Sequence, residues 1–146
     1  MMKKKIIYFV GITVLVICVI AYFKPLSFSD FADNDNQIKM LLQDFTIKNG
    51  EANIESDEYQ DITETQKNDI LNVLEQFTYR RNFKTLFSDG SMSGLGDKML
   101  TIHVYENDLY VDSVMVSSSG KILVNDKTYI MKNAEEFIEQ IIGIVQ

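Results

Sequence analysis

Only one cysteine, Cys18, and one histidine, His103, occur in the 146 residues. The thiol lies in an apolar N-terminal stretch, so no disulfide staples the remainder, which must hold together by its own core. A histidine-based zinc site needs further His or Cys ligands, and beyond Cys18 the chain offers His103 alone. A hydrolytic triad needs a nucleophile and an orienting carboxylate beside the histidine. The serines of Ser117-Ser118-Ser119-Gly120 read as turn chemistry, not as a strained nucleophile elbow. Basic charge is scarce as well. Four of the 14 Lys and Arg (Lys3, Lys4, Lys5 and Lys24) precede Pro25, leaving 10 against 21 Asp and Glu beyond it, a net charge of −11. That balance excludes a basic nucleic-acid footprint and disfavours direct adhesion to an anionic surface. Gly90, Gly94 and Gly96 share a loop, but no Gly-Lys-Ser/Thr follows them, so they do not make a phosphate loop. There is no internal repeat. Asp57, Glu58, Asp61 and Glu64 cluster near a helix start, where the dipole favours negative charge. They read as solvated charge. No catalytic residue, metal ligand or cofactor site is expected.

What the chain does have is a charge-free run from Ile6 to Phe23, preceded by Lys3-Lys4-Lys5 and stopped by Lys24-Pro25. As a helix it rises about 27 Å, near the ~30 Å hydrocarbon core of a bilayer. The expectation is an N-terminal transmembrane helix within residues 1–24, the membrane being met through residues 6–23. The flanking lysines put the N-terminus in the cytoplasm and the rest of the chain outside. Two alternatives stand. One is a secretory signal cleaved near Ser27-Phe28-Ser29, which leaves a secreted domain. The other is a lipoprotein signal at Leu15-Val16-Ile17-Cys18, where bulky Ile17 occupies the place of a small residue.

Residues 25–36 are polar and acidic, ending in Asp33-Asn34-Asp35-Asn36, and read as a tether. A calcium loop would need an Asp-x-Asp-x-Asp-Gly pattern with a Glu at its twelfth position, which is missing. The domain proper is expected at 37–146. Ile38 to Ile47 contains a strand, Asn49-Gly50 a hairpin turn and Ala52 to Glu55 a short return strand. Thr63 caps a helix, with Gln66 completing a capping box. Ile70, Leu71, Leu74 and Phe77 form its apolar face. Alternation from Tyr79 to Phe87 predicts an extended segment, with Arg80, Asn82 and Lys84 on one face. Ser88 to Asp97 is a loop. Strands follow at Lys98–Glu106, Leu109–Ser117, Lys121–Asn125 and Lys127–Met131, with Asn107-Asp108 and Asn125-Asp126 as turns. Asn133 and Glu136 predict a second capping box, ahead of the stripe Phe137, Ile138, Ile141, Ile142 and Val145. The fold class is therefore α+β, an antiparallel sheet with one face covered by two amphipathic helices. Connections between Lys98 and Met131 are too short for parallel crossovers.

Arg80, Arg81 and Lys84 are the one basic cluster of the acidic domain. Arg80, Asn82 and Lys84, with His103 and Tyr105, form the candidate partner-binding face, suited to a carboxylate or phosphate on a partner. The expected function is a membrane-tethered, non-catalytic extracytoplasmic binding or accessory domain. Its partner would be another envelope protein, a peptide or a toxin, an immunity-type role being one version. The alternative is a small cell-envelope hydrolase using His103 with Ser91 and Asp97 of the loop.

The segments ITETQKNDILNVLEQFTYRRN, LTIHVYENDLYVD and SGKILVNDKTYIM resemble small envelope proteins of Gram-positive bacteria. Those carry an N-terminal anchor or lipoprotein signal, a capped helix and a strand meander ending in a G-x-I-x-V-N-x-x-x-Y hairpin. Here those positions are Gly120, Ile122, Val124, Asn125 and Tyr129. The resemblance implies an extracytoplasmic α+β domain of unknown role and carries over no active site.

Overall fold

The computed structural model describes residues 2–28, 31–32, 36–88, 90–92, 94 and 96–146, with side chains from Tyr8 onward. Asp33, Asn34 and Asp35 of the acidic run lie outside the described residues, as does Ser29 of the expected cleavage site. Twelve elements follow in order: α1 (Met2–Phe23), β1 (Leu26–Ser27), β2 (Gln37–Lys48), β3 (Glu51–Tyr59), α2 (Glu64–Gln76), β4 (Thr78–Arg80), a short 3-10 turn (Lys84–Phe87), β5 (Lys98–Glu106), β6 (Leu109–Ser117), β7 (Lys121–Val124), β8 (Lys127–Met131) and α3 (Ala134–Val145). The strands form one antiparallel sheet in the order β1-β4-β8-β7-β6-β5-β2-β3.

Side-chain alternation builds the core. Register aligns Leu42, Leu100, Val116, Ile122 and Tyr129 in one row across five strands, and Met40, Ile102, Val114 and Val124 in the next. These rows meet Ile70 and Leu74 of α2 and Phe137, Ile138, Ile141 and Ile142 of α3. The two helices also touch each other: Phe77, at the end of α2, meets Phe137 edge-on at 5.2 Å, and the Gln66 Nε2 donates to the Ile144 carbonyl at 3.1 Å. Three hairpins turn on Asn49-Gly50, Asn107-Asp108 and Asn125-Asp126, with positive φ at each residue. That geometry matches the twist of the flanking strands. The Thr63–Gln66 capping box forms.

The structure corrects the N-terminal expectation. Residues Met2–Phe23 form one helix, but among the described residues no helix is long and apolar enough to cross a membrane. The helix carries Tyr8, Phe9, Ile12, Leu15 and Ile20 exposed along its length. It is an exposed apolar helix, not a transmembrane span.

Four smaller corrections follow from packing. The tether of residues 25–36 is partly built into the fold: β1 pairs with β4, and Phe28 is 3% exposed, within the core. The return strand is longer than Ala52 to Glu55, because β3 pairs with β2 from Glu51 through Tyr59. The extended run to Phe87 stops at Arg80. Asn82 then turns the chain: its Oδ1 accepts from the Thr85 backbone N–H at 2.9 Å, and the Thr85 Oγ1 accepts from the Asn82 N–H at 3.1 Å. At α3 the predicted box does not close. Asn133 sits in the left-handed region at φ 56° without a capping bond, and its Nδ2 donates to the Glu136 carboxylate at 3.0 Å instead.

Candidate functional site

The five residues of the expected binding face fall into two groups. His103 and Tyr105 lie on β5, on the sheet face away from the helices. Arg80 ends β4, Asn82 follows it, and Lys84 opens the 3-10 turn. Strands β8, β7 and β6 stand between β4 and β5, a separation of about 19 Å at ~4.8 Å per strand. The side chains therefore do not share one contact point. Asn82 is occupied in its own turn, while Arg80 and Lys84 are exposed.

Around His103 the outer sheet face carries an aromatic group. The Tyr110 ring lies 6.1 Å from the imidazole and 6.1 Å from the Tyr105 ring, edge-on to each. The Lys39 ammonium lies 4.9 Å from the Tyr105 ring centre. The Tyr110 hydroxyl donates to the Ser113 Oγ at 2.9 Å. Burial lowers the His103 pKa from its ordinary 6.5, because desolvation disfavours the imidazolium. Its Nδ1 is buried with no hydrogen-bond partner among the described residues. The hydrolase arrangement is not assembled. Asp97 precedes β5, about 20 Å from His103 along an extended strand at ~3.4 Å per residue. Its Oδ2 accepts from the Ser117 hydroxyl at 3.0 Å. The Ser91 carbonyl accepts from the Lys121 ammonium. Among the described residues no group of three or more His, Cys, Asp or Glu is placed to hold a metal ion.

The more built site is one that strand alternation assigned to the opposite face. Arg81 lies between two tyrosine rings, its guanidinium carbon 4.8 Å from the Tyr22 centre and 5.3 Å from the Tyr129 centre. Its Nη2 donates to the Tyr129 hydroxyl at 3.4 Å. That hydrogen bond, first among the causes, raises the Arg81 pKa above its ordinary value against the opposing effect of burial. Tyr22 belongs to α1 and Tyr129 to β8, so the arginine joins the N-terminal helix to the sheet. It opens onto a polar cavity of about 430 Å³ shared with Ser88, Asp126, Lys127 and Thr128. Directly adjacent, α1 and the 3-10 turn enclose an apolar groove of about 590 Å³ lined by Leu15, Cys18, Val19, Phe83 and Leu86. Sequence signalled only a basic cluster here. The pairing of Arg81 with Tyr22 depends on how α1 leaves the domain, which no local pattern encodes.

No family model, no curated protein and no solved structure matches the chain.

Proposed function

We propose that this protein is a non-catalytic binding or accessory domain held at the outer face of a membrane by apolar side chains in its N-terminal region. One observation carries the reading: a contiguous apolar surface lies exposed beside a domain whose own core is already complete. Along α1, Tyr8, Phe9, Leu15, Ile17 and Ile20 are all exposed. At its foot the 3-10 turn adds Phe83, Leu86 and Phe87, the last 89% exposed. Phe23 joins the two surfaces, its ring meeting that of Phe83 at 4.9 Å with the planes tilted by 54°. Water-facing surfaces rarely keep apolar patches of this extent without a use. Aromatic side chains beside Arg81 and Lys84 suit the boundary between hydrocarbon and headgroups. The acidic remainder of the domain is then left facing solvent, free for a protein or peptide partner.

The experiment is flotation of the full chain on neutral phosphatidylcholine vesicles, paired with protease shaving of intact cells. Co-flotation that persists in high salt, with loss of the C-terminal domain on shaving, is the expected result. A chain that stays at the bottom of the gradient overturns the lipid-contact reading. A domain protected in intact cells, while a surface marker is shaved, overturns its placement outside.

A further inference from the structure

We propose that the foot of α1 binds a single anionic phospholipid-class amphiphile, its phosphodiester head in the Arg81 cavity and an acyl chain in the groove beneath. The inference rests on the membrane reading above and adds a specific ligand to it. Three observations support it. The polar cavity and the apolar groove share Tyr22 and Leu86 in their walls, so a charged head and a hydrocarbon tail are accommodated side by side. The guanidinium is oriented before any ligand arrives, because two tyrosine rings flank it. No Asp or Glu among the described residues lies within ion-pair distance of it. A planar, pre-oriented arginine is the side chain best suited to a phosphate.

Local charge points the same way. Among the described residues Arg81 and Lys127 line the cavity against one carboxylate, Asp126, within a chain of net charge −7. Ser88 and Thr128 add hydroxyls to the wall. Lys127 and Thr128 open β8, and Tyr129, two residues on, holds the arginine. Bulk electrostatics would repel this chain from anionic lipid. A preference for such lipid must therefore come from this cavity.

The test is native mass spectrometry of the full chain in neutral maltoside detergent, titrated with phosphatidylglycerol or with phosphatidylcholine. One phosphatidylglycerol should bind, about tenfold tighter than phosphatidylcholine: both phosphodiesters can accept from Arg81, but the choline group brings a cation against Arg81 and Lys127. Arg81→Gln should abolish the preference, and Leu15→Glu, which places a charge in the groove without touching Arg81, should weaken both lipids. Arg80→Gln makes the same charge change on the exposed neighbour and should leave the preference intact. Equal binding of the two lipids by the wild-type chain overturns the proposal, and so does an equal loss in Arg80→Gln and Arg81→Gln. Inorganic phosphate that binds as tightly as the lipid would reduce the site to a free-phosphate pocket and overturn the acyl-chain half. Should Arg81→Gln fail to fold, Leu15→Glu and Arg81→Lys carry the test. Because binding is read in detergent, its failure is distinct from failure to float on vesicles, which bears on the membrane reading alone.

Discussion

Phe28 gives the sharpest test of where the folded domain begins. It is 3% exposed. Its ring lies 4.7 Å from Tyr79 and 6.0 Å, nearly parallel, from Phe137. An aromatic side chain of this kind buries about 150–250 Å², which at ~25 cal/mol per Å² is worth about 4–6 kcal/mol. That range is an upper bound, since the unfolded chain already hides part of the ring. Measured Phe→Ala losses run at about 3–5 kcal/mol. The lower end applies here, because β1 has only two residues and its end of the sheet can relax into the hole. Phe28→Ala should therefore cost about 3 kcal/mol, near 12 °C in Tm for a domain of this size. Leu26→Ala, two residues earlier and 38% exposed, should cost under ~1 kcal/mol. Urea unfolding of the full chain in mild detergent, followed by tyrosine fluorescence, measures both. If both variants lose less than ~1 kcal/mol, residues 25–28 are a tether and their contacts with the core are incidental.

Gly120 has φ +94°, and a Cβ there would sit 2.9 Å from the Met131 carbonyl oxygen. Gly120→Ala should cost ~2 kcal/mol or more from strain and clash together, against about 1 kcal/mol for Gly50→Ala, where φ is +85° and nothing lies within 4 Å. Paired thermal melts compare them. Thr63→Ala removes the capping bond of α2 and should lose about 1 kcal/mol in the same assay. Burial holds the His103 pKa below 6.5, so below that pH the unfolded chain takes up a proton that the folded chain refuses. Stability contributed by the neutral imidazole is full above the unfolded pKa and declines as pH falls from 6.5 toward the folded value. Denaturation between neutral and mildly acidic pH should show the wild type losing stability relative to His103→Gln. An NMR titration placing His103 at or above 6.5 refutes the assignment.

Legibility in the sequence follows the range of the interaction. Asn49-Gly50, Asn107-Asp108 and Asn125-Asp126 were readable because positive φ is demanded within two residues. Leu100, Ile102 and Val104 were readable because a strand facing a core alternates, and all three are buried. The same rule misled beyond Arg80. The alternation Tyr79, Arg81, Phe83 looked like a strand, but reciprocal bonds between Asn82 and Thr85 stabilise a turn there. Asn133 misled differently. It has the right residue type and spacing for a capping box, yet its left-handed backbone turns the side chain toward Glu136. Phe28 was invisible, since one apolar residue among polar neighbours has no period.

The candidate site divides along the same line. His103 and Tyr105 were placed on one face of one strand by local alternation, and they do share it. Joining them to Arg80 and Lys84 required strand order, which is non-local: β4, next to α2 in sequence, pairs with β8 rather than with β5. That pairing has a second consequence. By setting Tyr79 opposite Met131, it carries Arg81 past the end of β4 to the Tyr129 ring. β1, pairing on the other edge of β4, brings the end of α1 to the same place, so Tyr22 closes the opposite side of the guanidinium. The arginine that strand alternation had set on the face opposite Arg80 thus becomes the link between an apolar helix and a polar cavity. A change that unpairs β1, such as Ser27→Pro, should loosen that arrangement and weaken lipid binding without altering any residue that lines the site.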